Sequence, residues 1–562
     1  MARKLEDAIH MIRDLHSLEE EFDLLVIGGG IYGATLTWDA VLRGLRVALI
    51  EKKDFASGTS SNSLKIIHGG LRYLQHADFI RMRESITERR ILLRIAPHLV
   101  FPMRCVMPTF GHAMKGPEVM RLGLLMNDLF SADRNRGLDA AHQLPRGKIL
   151  TKKQVLQSIP AVNRKDVNGG AMWYDGHMIN SERLLFSFLH AAVEKGAVAA
   201  NYVKAEKVLS KNGRVYGVQA RDLLSGDSFD VRAKMTITTL GPWINDLIAD
   251  HRPEREKIQF STAMNLIINR PLAKMAFAAP TRAAFRDSDA LINKGSRMLF
   301  FVPWRGKTLA GTAHKPYYGA AEDYSVTEAD IGEFLDQVKS SLPDEKIRRD
   351  EIDHVHAGLL PMSGVNKESG DVTLTKHFDI IDHKQKDGLD GLLSLLTVKY
   401  TTARGVSEAA VDRIVEKLGY GDKSRASRST PVWGGDINST DQFVGDGMTN
   451  LHALPDDSKE HLLHTYGSRY RDVLACANGN PRMAEPVSSD SHILKAEIIF
   501  AIRHEMAYTL SDMLMRRTEL GTAGLATETQ ISAVADLMTQ ELQWTPERRN
   551  DEIDDYKKIY KS

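Results

Sequence analysis

Cysteine is almost missing from this chain: among 562 residues only Cys105 and Cys476 occur. A disulfide framework and a cysteine-built metal site are thereby excluded, and the composition fits a reducing compartment. Net charge is lacking too. The 74 basic and 73 acidic side chains leave +1 at neutral pH, which gives no general pull toward nucleic acid. No apolar run approaches the roughly 18 residues of a membrane-spanning helix, and neither an internal repeat nor a low-complexity linker is present. What remains is ordinary: 43% hydrophobic and 26% charged, at a length that calls for roughly two or three structural units. The N-terminal segment MARKLEDAIHMIRDLHSLEEEF has no secretory apolar core. Its Leu5, Ile9, Ile12 and Leu15 recur at helical spacing and predict a short amphipathic helix packed on the body of the protein, since its acids balance its bases.

Residues 24–33 read LLVIGGGIYG, and a second apolar run, RVALIEK, reaches a carboxylate at Glu51. An apolar strand that passes into glycines and a helix start, followed by a strand ending in an acid, suits a dinucleotide. Gly28 allows the tight turn, Gly30 lets backbone N–H groups approach a pyrophosphate, and Gly33 lets the helix lie close to the strand. The helix N-terminus then faces negative charge, and Glu51 would accept from a ribose hydroxyl.

The next segment, SGTSSNSLKIIHGGLRYLQH (57–76), holds hydroxyls at Thr59, Ser60 and Ser61 that could donate to diphosphate oxygens. Gly69 and Gly70 would let backbone lie against a flat ring, with His68, Arg72 and Tyr73 close by. Alone it would be an ordinary serine- and glycine-rich loop. Directly after a dinucleotide fold it looks like the wall of a flavin site.

Further along, a charged helix is expected at about 77–95, a loop-rich stretch over 105–150 with a Met/Leu helix near 117–130, and a helix after Ser181. A strand, a hairpin and a strand ending in Gly241-Pro242-Trp243 follow, then more strands across 258–312. Segment 390–419 passes from strand to helix, and about 440–562 reads as helices. There Ile498, Ile502, Met506, Leu510, Met513 and Leu514 form an apolar stripe, taken as core of a helical cap.

The motifs IGGGIYGA, TSSNSLKIIHGGLRYL, APHLVFPMR, LGPW, VPWRGKTLAGT, VKYTTARGVSEAAVDRI, HTYGSRY and IRHEMAYTLSDMLMRRT occur in that order. Together they resemble the FAD-dependent glycerol-3-phosphate dehydrogenase/oxidase family, from about Phe22 to about Thr518. The resemblance implies an α/β fold. Its parts are an FAD-binding Rossmann-like domain of the glutathione-reductase type, an antiparallel-sheet substrate domain and an α-helical C-terminal cap. Residues 1–20 would form an N-terminal helical extension, 21–418 the FAD-dependent oxidoreductase region and 419–562 the helical domain. Within the middle region the FAD domain would take about 21–100, 165–258 and 355–418, and the substrate domain about 101–164 and 259–354.

The family's chemistry takes two electrons from the carbinol carbon of glycerol 3-phosphate to FAD, giving dihydroxyacetone phosphate, and passes them to quinone or oxygen. Gly28, Gly30, Gly33, Glu51, Thr59, Ser60, Ser61, His68, Gly69 and Gly70 match the family's FAD pattern. So do Val203 at the adenine, Gly241 and Trp243 near the ring, and Lys399, Thr401 and Thr402. Arg72 and Tyr73 match residues that meet the substrate. Members are often peripheral membrane proteins, so the expected location is cytoplasmic or on the inner face of the cytoplasmic membrane. A homodimer is compatible with the pattern, and nucleic acid is not a partner.

The substrate half departs from the pattern. Where the family has Lys-Gly-x-His, this chain has Thr262 in the lysine position and Asn265 in the histidine position, and an amide takes no proton at neutral pH. Leu360 replaces the arginine of Gly-x-Arg-Pro, and Gly-Thr-Thr-Asp becomes Gly311-Thr312-Ala313-His314. A lost charge-assisted hydrogen bond is worth roughly 1.5–3 kcal/mol. His356 and His314 are the histidines that could act as base, each equally readable as structural, and Lys399 is a further cation. The leading expectation is a glycerol-3-phosphate-type dehydrogenase with Arg72, Tyr73 and Lys399 at the substrate. The alternatives are the same chemistry on another polyol or hydroxy acid, and a flavin-binding protein without turnover. The glycine fingerprint alone would also permit NAD, against which the TSSNSLKIIHGG segment speaks.

Overall fold

The computed structural model describes residues 11–111, 116–162, 164–247, 257–281, 297–366, 370–421, 424–477 and 479–560. Its strands fall into two sheets of different character. β1 (Glu21–Ile27), β2 (Val47–Ile50), β7 (Val198–Ala200) and β18 (Leu392–Leu396) are short, mostly apolar runs, and the longer β10 (Ser228–Thr238) is buried over its last four residues. Strands covered on both faces need such runs, and these pair in parallel. The sheet order is β17-β18-β10-β1-β2-β7, with β17 (Asp379–Asp382) antiparallel at one edge. β8 (Val203–Lys211) and β9 (Arg214–Asp222) form the expected hairpin and join the sheet through β10. Helices Ile31–Leu42, Ser181–Glu194 and Ala403–Leu418 pack together against this sheet and share one core with it.

The second sheet has ten strands in the order β16-β15-β11-β14-β13-β12-β4-β6-β3, with β5 paired to β6. Its members are β3 (Ile66–Ile67), β4 (Val100–Phe110), β5 (Lys148–Thr151), β6 (Val167–Met178), β11 (Gln259–Ile268), β12 (Ala276–Pro280), β13 (Met298–Trp304), β14 (Lys307–Tyr317), β15 (Ile352–Val365) and β16 (Val372–Leu374). Helix Glu328–Ser341 covers it through Ile331, Phe334, Leu335 and Val338. The C-terminal part is helical, as expected, from Thr440–Asn450 to Pro546–Lys558.

Several expectations shift. Residues 105–110 are the end of the long strand β4, not a loop. β6 and most of β15 lie in the second sheet within stretches, 165–178 and 355–365, that were expected in the FAD domain. Both are half of a pairing whose partner, β4 or β11, is distant in sequence, so strand composition alone did not show which sheet they join. The N-terminal helix expectation falls largely outside the described residues. From Met11 to Asp14 the chain is not helical, Met11 is fully buried, and Arg13 pairs with Asp222. The C-terminal apolar stripe is core at all its positions, yet it is no single helix. Helix Lys495–His504 stops at Glu505, Met506 takes φ +55°, and a capping box at Thr509 starts a new turn that becomes a π-helix over Met513–Arg517.

The break serves a buried charge network. Glu505 accepts from Arg183 (Nη2–Oε2 3.1 Å) and meets His190 Nε2 at 2.9 Å. Arg517 donates to both oxygens of Asp54 at 2.7 and 2.8 Å, and its Nε donates to the Glu505 carbonyl at 2.9 Å. Burial would raise the Asp54 carboxyl, but Arg517 and Arg516 outweigh it and hold Asp54 below the usual carboxylate range. Arg517, Arg183 and Glu505 have no side-chain exposure, 0% in each case. Removing one partner from such a pair leaves an uncompensated buried charge, at a cost of about 3–5 kcal/mol. Arg517→Met is therefore expected to lower the melting temperature and to make the C-terminal region the first site of limited proteolysis; unchanged melting and cleavage would contradict this role.

Candidate functional site

Helix Ile31–Leu42 begins directly on the end of β1. Gly28 holds φ +111°, and a Cβ added to Gly33 would lie 1.9 Å from the Gly28 carbonyl oxygen, so only glycine permits this approach. The turn borders a cavity of about 950 Å³ lined by residues of both sheets. Glu51 and Val203 line its first part. Glu51 accepts from Gly29 N–H at 2.6 Å and from Lys53 N–H at 2.8 Å; burial lifts its carboxyl pKa, and these two bonds oppose the shift. The Val203 side chain is buried and its N–H donates to the Glu51 carbonyl at 2.8 Å.

Gly28, Gly30, Thr59 and Ser60 line the middle. Ser60 Oγ accepts from Ile31 N–H at 3.0 Å, so a polar oxygen already sits where a helix N-terminus would meet phosphate. Thr59 Oγ1 donates to the Leu359 carbonyl at 3.4 Å. Ser61 turns away, donating to Gly58 O at 3.1 Å and lining a second, smaller cavity. Gly241 and Trp243 close one side, with Lys52 Nζ 4.3 Å from the Trp243 ring.

The far part lies beneath the second sheet. Ala263, Asn265, Thr312, His314, Gly358 and Leu360 form its roof, and Lys399 faces them. A bulge where Met264 and Asn265 pair with Ala313 and Gly311 makes Thr312 the extra residue, so that both Thr312 and His314 reach the cavity. His314 Nδ1 lies 3.1 Å from the Thr262 carbonyl, which fixes the proton on Nδ1 and leaves the Nε2 lone pair free to accept. Burial, then the charge of Arg297, push its pKa down to about 3, so the ring is neutral. Arg297 Nη2 donates to the Thr312 carbonyl at 3.0 Å. Asn265 donates to Asn62 O at 3.2 Å and accepts from Thr312 Oγ1 at 2.8 Å: its amide holds the roof to the wall.

Lys399 Nζ sits 4.3 Å from the Tyr73 ring centroid. Burial, followed by the charge of Arg81, lowers the lysine to about 8, while burial raises the Tyr73 hydroxyl to about 12. Arg72 is exposed beside them. His68, Gly69 and Gly70 stand just behind. The His68 ring lies 5.9 Å from Tyr73 and is held neutral by burial, which lowers its pKa to about 4 against the pull of Asp175. Gly70 takes φ +79°. Thr401 and Thr402 are buried under the start of helix Ala403–Leu418, where Thr402 hydrogen-bonds Tyr32.

His356 is not at this cavity. It shares a cross-strand row with Asn265, but segment Ser57–Asn62 forms a wall that lines both cavities and separates them. Its Nε2 meets the Thr522 carbonyl at 3.0 Å, and its ring packs edge-on to Trp304 at 5.5 Å. Of the two histidines offered by the sequence, His314 alone borders the large cavity.

Residues not singled out from the sequence hold the wall in place. Buried Lys65 donates to Ser61 O and Ser181 Oγ, both at 2.7 Å, and to Glu182 at 3.0 Å. Asp175 accepts from Gly69 N–H at 2.5 Å, Arg89 at 2.7 Å and Trp173 Nε1 at 2.9 Å. Tyr32 OH donates to the Lys399 carbonyl at 2.5 Å. Lys65 stood inside the quoted motif, an apolar-flanked lysine with no neighbouring acid; Asp175 and Arg297 gave no signal without the register.

A family model described as FAD dependent oxidoreductase matches residues 23–379, and one described as the C-terminal domain of alpha-glycerophosphate oxidase matches residues 426–549. A glycerol-3-phosphate dehydrogenase of Synechocystis sp. is 32% identical over 551 residues, with 95% of each chain covered. The mitochondrial glycerol-3-phosphate dehydrogenase of Rattus norvegicus is 29% identical, covering 95% of this chain and 72% of the relative. Among solved structures, glycerol-3-phosphate dehydrogenase from Bacillus halodurans complexed with FAD superposes with a TM-score of 0.76 at 25% identity, covering 97% of this chain and 96% of that one. The close helix approach at Gly33, the hydroxyl at the helix start and the long cavity fit FAD. The chain belongs to the FAD-dependent oxidoreductase family and carries the C-terminal domain of its alpha-glycerophosphate oxidase branch.

Proposed function

We propose that the protein oxidises glycerol 3-phosphate to dihydroxyacetone phosphate with FAD, handing the electrons to a quinone. The observation that carries this reading is the match, over 95% of this chain, to proteins named glycerol-3-phosphate dehydrogenase. It is joined to a cavity whose far end sets one neutral imidazole, His314, among cations. Residues 23–379 would supply the flavin and substrate units, and the helical region the cap.

Lys399, Arg72 and Arg297 hold the phosphate, which answers the missing arginine at Leu360. Three cations replace one bidentate contact, and Leu360 packs against the carbon chain instead. His314 Nε2 accepts the carbinol proton, its tautomer set by the Thr262 carbonyl. A bound dianion beside Arg297 and Arg72 offsets the charges that depress His314 and strengthens it as a base. Tyr73 and Lys399 orient the carbinol C–H toward the ring position, and the roof of β11, β14 and β15 keeps water from it. FAD, when bound, supplies the two-electron acceptor for the hydride.

Anaerobic addition of glycerol 3-phosphate should bleach the oxidised flavin band, while glycerol should not. His314→Gln should keep the flavin and slow bleaching by about 10²–10⁴-fold. Bleaching by glycerol alone would overturn the phosphate reading, and an unchanged rate in the variant would remove His314 as base.

The lysine ammonium exists below its pKa of about 8 and is lost above it. The value of kcat/KM for glycerol 3-phosphate should therefore fall as pH rises through about 8, and Lys399→Arg should abolish that fall. A profile that stays flat in the parent protein would exclude Lys399 as a phosphate ligand.

Delivery to quinone would occur at a membrane surface. No helix among the described residues is long and apolar enough to cross one. Helix Pro117–Phe130 instead exposes Leu122 (61%), Leu125 (61%) and Leu129 (70%), next to exposed Ile80 (74%). Replacing Leu122 and Leu125 by glutamate should abolish cosedimentation with anionic lipid vesicles and lower quinone reduction, with turnover on a soluble dye retained. Unaltered sedimentation would rule out this face.

A further inference from the structure

Outside the lining of the flavin cavity, three side chains from separate parts of the helical region converge. His461 lies on helix Asp456–Tyr466, His492 precedes helix Lys495–His504, and Glu519 follows the π-helical turn Met513–Arg517. Each offers one donor atom, and the donors all lie within 4.8 Å of one another. His492 Nε2 is 2.7 Å from Glu519 Oε1, His461 Nδ1 is 3.7 Å from the same oxygen, and the imidazole centroids are 4.8 Å apart. Among the described residues this is the one such group.

We propose that His461, His492 and Glu519 bind a divalent transition cation, zinc being the best fit. Two imidazoles and a carboxylate are zinc-type ligands, less suited to calcium or magnesium, which prefer all-oxygen sets. Zinc bonds of about 2.0–2.2 Å in a tetrahedron put donors about 3.4 Å apart. The two histidine–carboxylate separations, 2.7 and 3.7 Å, straddle that value.

The surroundings are those of a ligand set. The other His461 nitrogen, Nε2, meets Glu497 Oε2 at 2.9 Å, and Glu497 is 1% exposed. A buried carboxylate behind a histidine orients the ring and raises its basicity toward a metal. Glu519 keeps Oε1 for the site while Oε2 faces Arg305 Nη2 at 2.7 Å. Thr465 Oγ1 lies 3.3 Å from His461 Nδ1 and can turn its hydroxyl to a metal-bound water. Two carboxylates, Glu497 and Glu519, stand here against one guanidinium, Arg305. His492 is 36% exposed and gives the ion a path in from solvent.

The ion would act as a brace. Arg305 lies in the turn between β13 and β14, and its Nη1 donates to the Glu519 carbonyl at 3.2 Å. Lys307 Nζ donates to Ala523 O at 2.9 Å, and His356 meets Thr522 O. A cation on Glu519 would thus tie three segments of the cap to the β13–β14 turn of the second sheet.

The test uses tag-free, full-length, FAD-loaded protein, stripped with chelator and titrated with Co²⁺. Ligand-field absorbance to the red of the flavin bands should saturate at one equivalent and be displaced by Zn²⁺. His492→Ala, at an exposed position, should retain its flavin and lose roughly tenfold or more in Co²⁺ affinity; Glu519→Gln should do the same. Absence of a band saturating at one equivalent would overturn the proposal. So would unchanged affinity in both variants.

Discussion

Burying a guanidinium is tolerable only if its partners arrive with it, and the architecture hangs on that constraint at Arg517 and Arg183. Their carboxylates come from different places: Asp54 from the turn after β2, Glu505 from the end of a cap helix. None of these side chains keeps meaningful contact with water. The first sheet, helix Ser181–Glu194 and the cap must therefore all be in position before any charge is satisfied. The interrupted helix at Glu505 and the π-helical turn that aims Arg516 and Arg517 at Asp54 follow from this requirement. Asp54 also stands three residues before Ser57, where the wall between the two cavities begins. A cap contact thus reaches the flavin site through a short stretch of backbone.

That wall is fixed twice more, by Lys65 beneath it and by Asp175 behind Gly69. The floor of the far cavity is held by Tyr32, whose hydroxyl grips the backbone of Lys399. Its roof is held by Asn265, which bonds both the wall and Thr312. Asparagine at that position acts as a fastener, and on the neighbouring strand a bulge turns His314 into the same cavity. Arg297, just before β13, braces the same roof through the Thr312 carbonyl.

The dinucleotide half was readable because its signals are local. Gly28, Gly30, Gly33 and Glu51 lie within one strand–helix–strand unit, and Ser60 follows within ten residues of Glu51. Parallel strands declared themselves as apolar runs, and the cap as helices. What stayed hidden depends on register between distant strands. Composition does not say that Val167–Met178 pairs with Val100–Phe110, and so the sheet that β6 joins did not show in the sequence. Nor does it separate His314 from His356. Both sit on roof strands and both face inward, but His356 lies beyond the wall, a distinction made by a loop some 300 residues away in sequence, the separation of Thr59 from Leu359. Arg297 was silent for the same reason.

Leu360 has a bearing on pharmacology. Where the family pattern carries arginine, this cavity presents a branched apolar side chain a short way from His314 and Lys399. A phosphonate that extends a small hydrocarbon group toward β15 would meet leucine here and a charged guanidinium in relatives that keep the arginine. Desolvating that guanidinium without a partner is costly, so selectivity would come from the penalty in the relative more than from the gain in this protein.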